Sequence, residues 1–573
     1  MITYLLILIV ASLGMSSFSA MTGILSFGHA AFIGLAAHLS ALLTIPVAAK
    51  GMLLPDLPGW LAAVHMPIWA SLIVTVAVVT LIGVVLGLPI ARLGGSEAAI
   101  ATLGLLLIVH AVVIASADYT RGSQAIYGVP RIKSIWAYFA AAAGAIFVTR
   151  YLAAARLGLL AQSIRENEPA AMSVGIRPVR VKWAVFAFSA AVSALAGVML
   201  GHHLTVFSPK EFHFDLTFTL LVILILGGFS SVSGTVVGAV LVTALVEGLR
   251  RLEQSGIFAD LMGQSVFGLT DVGLSIAVLW VLYRHNEGLF GHRELSDVIA
   301  GWRNTPPKLP EAAAIPEETQ APRELVVEGV SKAYGGVVAV DDVSFTLKTG
   351  EIVGLIGPNG SGKTTLLGCI AGTHTASTGT VKLGGHDLTH AAPYQIAEQG
   401  IGRTFQTIRL FARKSAIDNV VAAVAAARPQ LSQQAAYAQA MGFLEMLWIG
   451  DLANRQAGTL AYGQQRRLEI ARAMALRPAI LLLDEPAAGM NEQESDDLMS
   501  ILLSLRERFG VGILIVDHDL KLMMRLCERI LVLNKGQLIA HGSPAEIRTN
   551  EHVLEAYMGR KATTETNNRE LST

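Results

Sequence analysis

The sequence is short of charge, of cysteine and of aromatic residues. Only 15% of its 573 residues are Asp, Glu, Lys or Arg, against roughly 25% in an ordinary soluble domain. Hydrophobic residues make up 53% and mean hydropathy is +0.54. This excludes a chain that lies wholly in water. The 43 basic and 43 acidic residues cancel, so no global field argues for nucleic acid. Two cysteines, Cys369 and Cys527, make no disulfide framework. They read as ordinary buried thiols in a reducing compartment. No Lys or Arg occurs before Lys50. A secretory signal needs a basic n-region, so Ile2–Ala20 reads as a retained membrane span.

What the chain has instead is long apolar runs up to about residue 300. Candidate spans are Ile2–Ala20, Ile24–Ile45, Ile68–Ala91, Ala98–Ala117, Ser134–Leu152, Trp183–His203 and Val266–Tyr283, each close to the ~20 residues a crossing helix needs. Leu216–Gly228 and Gly234–Gly248 are shorter and are separated by Gly227-Gly228-Phe229-Ser230-Ser231. Gly-interrupted segments of this kind can line a pathway. The expectation is seven to nine spans. Arg156, Arg165, Arg177, Arg180 and Lys182 put the stretch 156–182 in the cytoplasm, although the loop with Arg121, Arg131 and Lys133 then falls outside, against the rule. His29, His110, Glu247 and Asp271 are ionisable groups in or near spans and are candidates for function. For His29 the competing reading is a hydrogen-bonded histidine among small packed residues.

The composition changes near residue 300. The expected organisation is a transmembrane domain (1–290), a Pro-rich linker (291–323) extended by Pro306, Pro307, Pro310, Pro316 and Pro322, an α/β domain (324–559) and a disordered tail (560–573). In the third part the apolar strand Ile352–Ile356 runs into Gly357-Pro358-Asn359-Gly360-Ser361-Gly362-Lys363-Thr364-Thr365. This is a full phosphate-binding loop between strand and helix. Glycines turn backbone N–H groups toward phosphate, the helix start adds its dipole, Lys363 reaches the β- and γ-phosphates and Thr364 ligates Mg²⁺. A second apolar strand, Ile480–Leu483, delivers Asp484 to the metal and Glu485 to the attacking water as general base.

With these two elements the chain resembles the ABC ATPases, and further motifs fall in order. Leu460-Ala461-Tyr462-Gly463-Gln464-Gln465 is similar to the family's signature segment, Gln406 to the Q-loop glutamine, His518 to the switch histidine, and Tyr334 to the aromatic that stacks on adenine. The resemblance implies an α-helical membrane domain followed by a P-loop NTPase domain with a helical subdomain. It implies ATP and Mg²⁺ as cofactors, with Gln406 beside the metal. It also implies two ATPase domains closing head to tail, so that Gly463 and Gln464 of one domain meet the nucleotide of the other. Ala461 and Tyr462 stand where Ser and Gly are commonest, and Asn491 stands for the D-loop Asp. Both departures resemble the amino-acid-importer branch.

The membrane half resembles the permeases of branched-chain amino acid importers, through Gly23–Gly34, Ala101-Thr102-Leu103-Gly104, Ile164-Arg165-Glu166-Asn167-Glu168 and Gly227–Gly234. This resemblance implies ATP-driven import in a bacterial plasma membrane. It implies a second permease, a second ATPase and a solute-binding protein as partners, and a coupling segment over Arg156–Gly175 lying beside Gln406. Leu107, His110, Arg121 and Gln124 depart from the family's usual residues, so urea, short amides or aromatic carboxylates are alternative cargoes. An exporter would need helices reaching far into the cytoplasm, and a non-transport ATPase would not carry spans.

Overall fold

A computed structural model of the chain describes residues 1–254, 268–285, 287–291, 294–295, 310–316 and 322–558. It divides into two compact units, Met1–Arg165 with Pro178–Pro306, and Glu166–Arg177 with Pro307–Thr573. The expected tail 560–573 and most of the stretch 291–323 lie outside the described residues.

The first unit is helical. Among the described residues, the helices of more than four residues up to Arg284 are α1 (Ile2–Thr22), α2 (His29–Thr44), α3 (Val47–Leu53), α4 (Ile68–Ala91), α5 (Gly95–Ala115), α6 (Ile135–Ala154), α7 (Arg156–Glu166), α8 (Glu168–Ser173, which belongs to the second unit), α9 (Pro178–Leu204), α10 (Phe214–Gly227), α11 (Val232–Gln254) and α12 (Leu269–Arg284). Helix α9 is central and packs on α1, α2 and α4. Small residues make this possible. A Cβ on Gly197 would lie 2.2 Å from the Ile33 carbonyl oxygen, and one on Gly83 2.5 Å from Cβ of Ala190. Among the described residues, α1, α4, α5, α6, α9 and α11 are long and apolar enough to cross a membrane. The pair α2–α3, bent by 120° after Thr44, would make a seventh. The count meets the expected seven to nine only at its lower end. The reason is visible at the glycine break. Residues 232–254 form one continuous 23-residue helix, whereas α10 has 14 residues and α12 has 16. The α10–α11 hairpin closes so tightly that a Cβ on Gly227 would meet the Gly234 carbonyl oxygen at 2.0 Å. The α2 span is also shorter than expected, because Gly23 closes α1 in the left-handed region (φ 75°) and the helix restarts at His29.

Glu294, in the stretch read as linker, belongs to this unit. Its carboxylate accepts hydrogen bonds from the Val232 and Ser233 amides and the Ser233 hydroxyl at 2.6–3.0 Å, which caps α11. The outer faces of α4, α5 and α6 carry Ile73, Leu81, Ile100, Ile108 and Phe147, all exposed. Such faces suit hydrocarbon or another membrane subunit.

The second unit carries two sheets. An antiparallel one has the order β2-β1-β4-β5, from β1 (Glu324–Tyr334), β2 (Val337–Lys348), β4 (Thr378–Leu383) and β5 (His386–Asp387). The larger has the order β10-β9-β3-β8-β7-β6, from β3 (Ile352–Ile356), β6 (Ile401–Arg403), β7 (Ile480–Asp484), β8 (Gly512–Val516), β9 (Arg529–Asn534) and β10 (Gln537–Gly542). Strands β9, β3, β8, β7 and β6 are parallel, and β10 is antiparallel to β9. Every residue of β3, β7 and β8 is buried, as uninterrupted apolar strands of a covered parallel sheet should be. A helical part is built from α15 (Ala416–Ala427), α16 (Gln433–Met446) and α17 (Tyr462–Met474), following α13 (Lys363–Ile370) and α14 (Pro393–Gln399) in the chain. One piece of the Pro-rich stretch rests on it. The Ala313 amide donates to the Ala438 carbonyl (2.9 Å), and Gly442 has no side chain where Ala313 passes. The two cysteines are free and buried, and burial pushes the Cys527 thiol up to about 12.

Candidate nucleotide site

The carboxyl ends of parallel strands β3, β7 and β8 deliver the motif residues to one edge, the usual place for a ligand in an open α/β sheet. The loop after β3 turns on glycines that no other residue could replace. Gly357 (φ 154°) would put a Cβ 2.1 Å from the Leu533 carbonyl oxygen, and Gly362 (φ 102°) one 2.2 Å from that of Ala339. Between them lie Pro358, Asn359 and Gly360 (φ 79°), then Ser361, whose hydroxyl is buried without a partner. Lys363 begins α13, and its Nζ donates to the Gly357 and Pro358 carbonyls at 2.8 and 2.9 Å. Burial pulls its pKa down, opposed by the nearby Glu485 and Asp484 carboxylates.

Asp484 ends β7 fully buried, and neither of its carboxylate oxygens has a hydrogen-bond partner. Burial raises its pKa, with Arg403 as the strongest opposing charge. A buried, unpaired carboxylate asks for a cation. Asp484 lines a cavity of about 500 Å³ together with Thr364 and Gln406, a set of hard oxygen donors. Among the described residues no three His, Cys, Asp or Glu side chains gather as a metal cage. One carboxylate and one hydroxyl beside phosphate is the arrangement suited to Mg²⁺ rather than to a closed protein site. The residues therefore fit the ion.

Glu485 follows in a left-handed conformation (φ 47°), held by its amide's 2.7 Å bond to the Val516 carbonyl. Strain of this kind costs on the order of 1–3 kcal/mol and collects at functional sites. The His518 ring lies with Nδ1 3.9 Å from the Glu485 carboxylate and is mostly exposed. Buried Asp517, which the sequence reading passed over, positions both neighbours. Its carboxylate accepts from the His518 and Asp519 amides (2.8 and 3.0 Å) and from Ala487 (3.3 Å). Tyr334 stands half-exposed at the end of β1, edge-on to His374.

The structure does not bring Gly463 and Gln464 to this loop. They occupy the first turn of α17, where the Gln464 side chain caps the Ala461 amide at 3.1 Å. Asn491 likewise serves as a local cap, accepting from Glu494 N at 2.9 Å. The segment between two membrane helices does reach the cavity. Pro169 and Met172 of α8 line it, Arg177 makes a two-pronged ion pair with Glu398 of α14 (2.6 and 2.7 Å), and Glu166 accepts from the Arg413 amide (3.2 Å). In the membrane half, His29 is buried and bonded to the Ser189 hydroxyl at 2.9 Å among Phe18, Phe32 and Phe186. His110 lies against His213 with ring centroids 4.1 Å apart and the planes tilted by 38°. Glu247 pairs with Arg251 one helical turn on, and Asp271 opens α12.

Comparison with known proteins agrees with this architecture. Residues 1–270 match the family described as branched-chain amino acid transport system / permease component, 340–488 the ABC transporter family, and 537–563 the branched-chain amino acid ATP-binding cassette transporter family. The high-affinity branched-chain amino acid transport ATP-binding protein BraF of Pseudomonas aeruginosa is 40% identical over 248 residues, which is 41% of this chain and 97% of the relative. The chain belongs to the branched-chain amino acid ABC transporter family, with permease and cassette fused. The counterpart LivG of Escherichia coli is 41% identical over the same length and shares. The lipopolysaccharide export system ATP-binding protein LptB of Escherichia coli is 39% identical over 235 residues, 41% of this chain and 97% of the relative. A solved cassette, the ADP conformation of MJ1267, is 30% identical and covers 42% of this chain and 99% of its own, with TM-score 0.38. The cassette is thus a nucleotide-binding ATPase coupled to transport, and the permease region makes the protein membrane-integral. Transporters of this family work with further permease and ATPase subunits and a solute-binding protein.

Proposed function

We propose that the chain drives import of branched-chain amino acids, or of related small polar solutes, across a bacterial plasma membrane. It works with a second permease, a second cassette and a periplasmic or surface binding protein. The observation that carries this is the pairing of a permease of the branched-chain family with its own type of cassette in one polypeptide. The loop amides of 357–362 and Lys363 hold the phosphates of ATP. Thr364, Asp484 and Gln406 would hold Mg²⁺, which when bound would supply neutralisation of the charge on the phosphates. Glu485 takes the proton of the attacking water, and His518 supports the γ-phosphate end. Tyr334 offers its ring to adenine. Gly463 and Gln464 serve the nucleotide bound on the partner cassette. The cassette likeness to an export ATPase leaves direction open by itself, and the permease family favours import.

The test is uptake of labelled leucine by cells making this chain with its partner subunits, with Glu485→Gln as the hydrolysis-dead control. Removing a general base costs about 10²–10⁴ in rate. Uptake that valine competes for and E485Q abolishes supports the reading. Absent leucine uptake with ATP-dependent uptake of urea, an amide or benzoate assigns the other cargo class, the one that Leu107, His110, Arg121 and Gln124 point to.

A further inference from the structure

Helix α17 contains Arg466, Glu469 and Arg472, all buried, spaced so that they share one face. Two cations and one anion taken out of water in a single helix are costly unless each finds partners. The partners here are the backbones of other motifs. Arg466 Nη1 donates to the Phe405 carbonyl (2.6 Å) and to Glu469 (2.8 Å), and its Nη2 to the Gln406 carbonyl (3.0 Å). Nη2 also lies 3.4 Å from the Tyr462 hydroxyl and 3.5 Å from the Glu485 carbonyl oxygen, a longer contact. Glu469 accepts from the Arg409 amide (3.1 Å), and Arg472 donates to the Arg409 carbonyl (2.5 Å). One planar cation therefore touches the backbone before and at Gln406, the backbone of the strained residue Glu485, and the first residue of the signature helix.

We infer that Arg466 is a positioning residue for ATP hydrolysis, locking the Gln406 and Glu485 backbones to the start of the signature helix so that the three move as one piece. Phe405 and Gln406 line the same cavity as Pro169 and Met172. A shift of the Q-loop is carried through this guanidinium to Gly463 and Gln464. A lysine at 466 could keep the charge balance with Glu469, but it has one nitrogen where the fork uses two. That difference separates positioning from bulk stability.

The experiment compares the full-length chain, assembled with its partner subunits, as wild type and R466K. Steady-state ATP hydrolysis gives kcat and KM, and hydrogen exchange of peptides covering 403–409 and 460–466 is followed with and without a non-hydrolysable ATP analogue. The expected result is a kcat about tenfold or more lower, as for slightly misplaced catalytic groups, with KM for ATP and the melting temperature unchanged. The analogue slows exchange in both peptides of the wild type and only in 403–409 of R466K. Unchanged kcat, or joint protection of both peptides in R466K, overturns the inference. Should R466K fail to assemble, R466M/E469L/R472M replaces the whole buried cluster by apolar side chains and is read the same way. Failure of both variants to assemble assigns the cluster to folding alone and overturns it equally.

Discussion

Asp484→Asn should make the nucleotide-free cassette more stable, although it removes the carboxylate proposed to hold Mg²⁺. The wild-type carboxylate is fully buried with both oxygens unpartnered, and burial outweighs the attraction of Arg403, Arg466 and Lys363, so its pKa is raised. For an acid whose folded pKa lies above its unfolded one, the stability linked to it is fully present at low pH. It is lost as pH rises from the ordinary carboxylate range through the raised value. At neutral pH the wild type carries that penalty and the amide does not. An unsatisfied buried polar group costs about 1–3 kcal/mol, and more when charged. The asparagine amide has unmet hydrogen bonds of its own, so a net gain of about 1–2 kcal/mol is expected. For a domain of this size that is about 2–8 °C in apparent melting temperature. Differential scanning fluorimetry of the full chain at neutral pH, without nucleotide, measures it. The gap should narrow on acidification, as the wild-type carboxyl protonates, and should invert with saturating Mg²⁺ and ATP, which stabilise only the wild type strongly. A D484N protein that melts at or below wild type without nucleotide would refute the reasoning.

The Arg177–Glu398 pair is about one-third exposed on each side, so R177A and E398A should each change cassette stability by no more than about 1 kcal/mol. Both should still lower transport per ATP hydrolysed, measured as the ratio of uptake to phosphate release. An unchanged ratio would leave the pair as a surface contact. Gly197→Ala should destabilise the membrane half by about 1–3 kcal/mol through overpacking, because its Cβ would sit 2.2 Å from a backbone oxygen that cannot yield. The readout is a lower melting temperature of the purified full chain, with ATP affinity unchanged.

The parts of the site legible in sequence were those in which one local requirement fixes a residue. Gly357 and Gly362 are imposed by φ and by a neighbouring carbonyl within about 2 Å of any Cβ, and such positions announce themselves as a motif. The apolar runs at 352–356, 480–483 and 513–516 gave the three buried parallel strands. Other features depended on tertiary partners. Asp517 and Arg466 act on backbone atoms from distant segments. The i, i+3, i+6 spacing of Arg466, Glu469 and Arg472 was the available signal for the cluster, but on a surface helix the same spacing is ordinary charge patterning. The span count reaches only the lower end of the expected range for a related reason. The glycines at 227 and 234 look like helix breakers, yet Gly234 and Gly238 sit inside α11, where they allow close approach to α10.

The segment after Arg156 shows how a sequence can place a function and miss its construction. Read as one coupling helix over 156–175, it is two helices separated at Asn167, whose extended backbone (φ −159°) and side chain cap α8 through the Ala170 amide. The division between the two compact units falls between Arg165 and Glu166. Arg165 bonds the Ala20 carbonyl at the end of α1 (2.6 Å), and its side chain fills the space beside Gly23. Glu166 bonds the Arg413 amide of the cassette. Adjacent residues are thus anchored to different units, with no flexible spacer between the anchors. The chain passes back to the first unit between Arg177 and Pro178, so the segment 166–177 is held by a peptide bond to membrane helices at both of its ends.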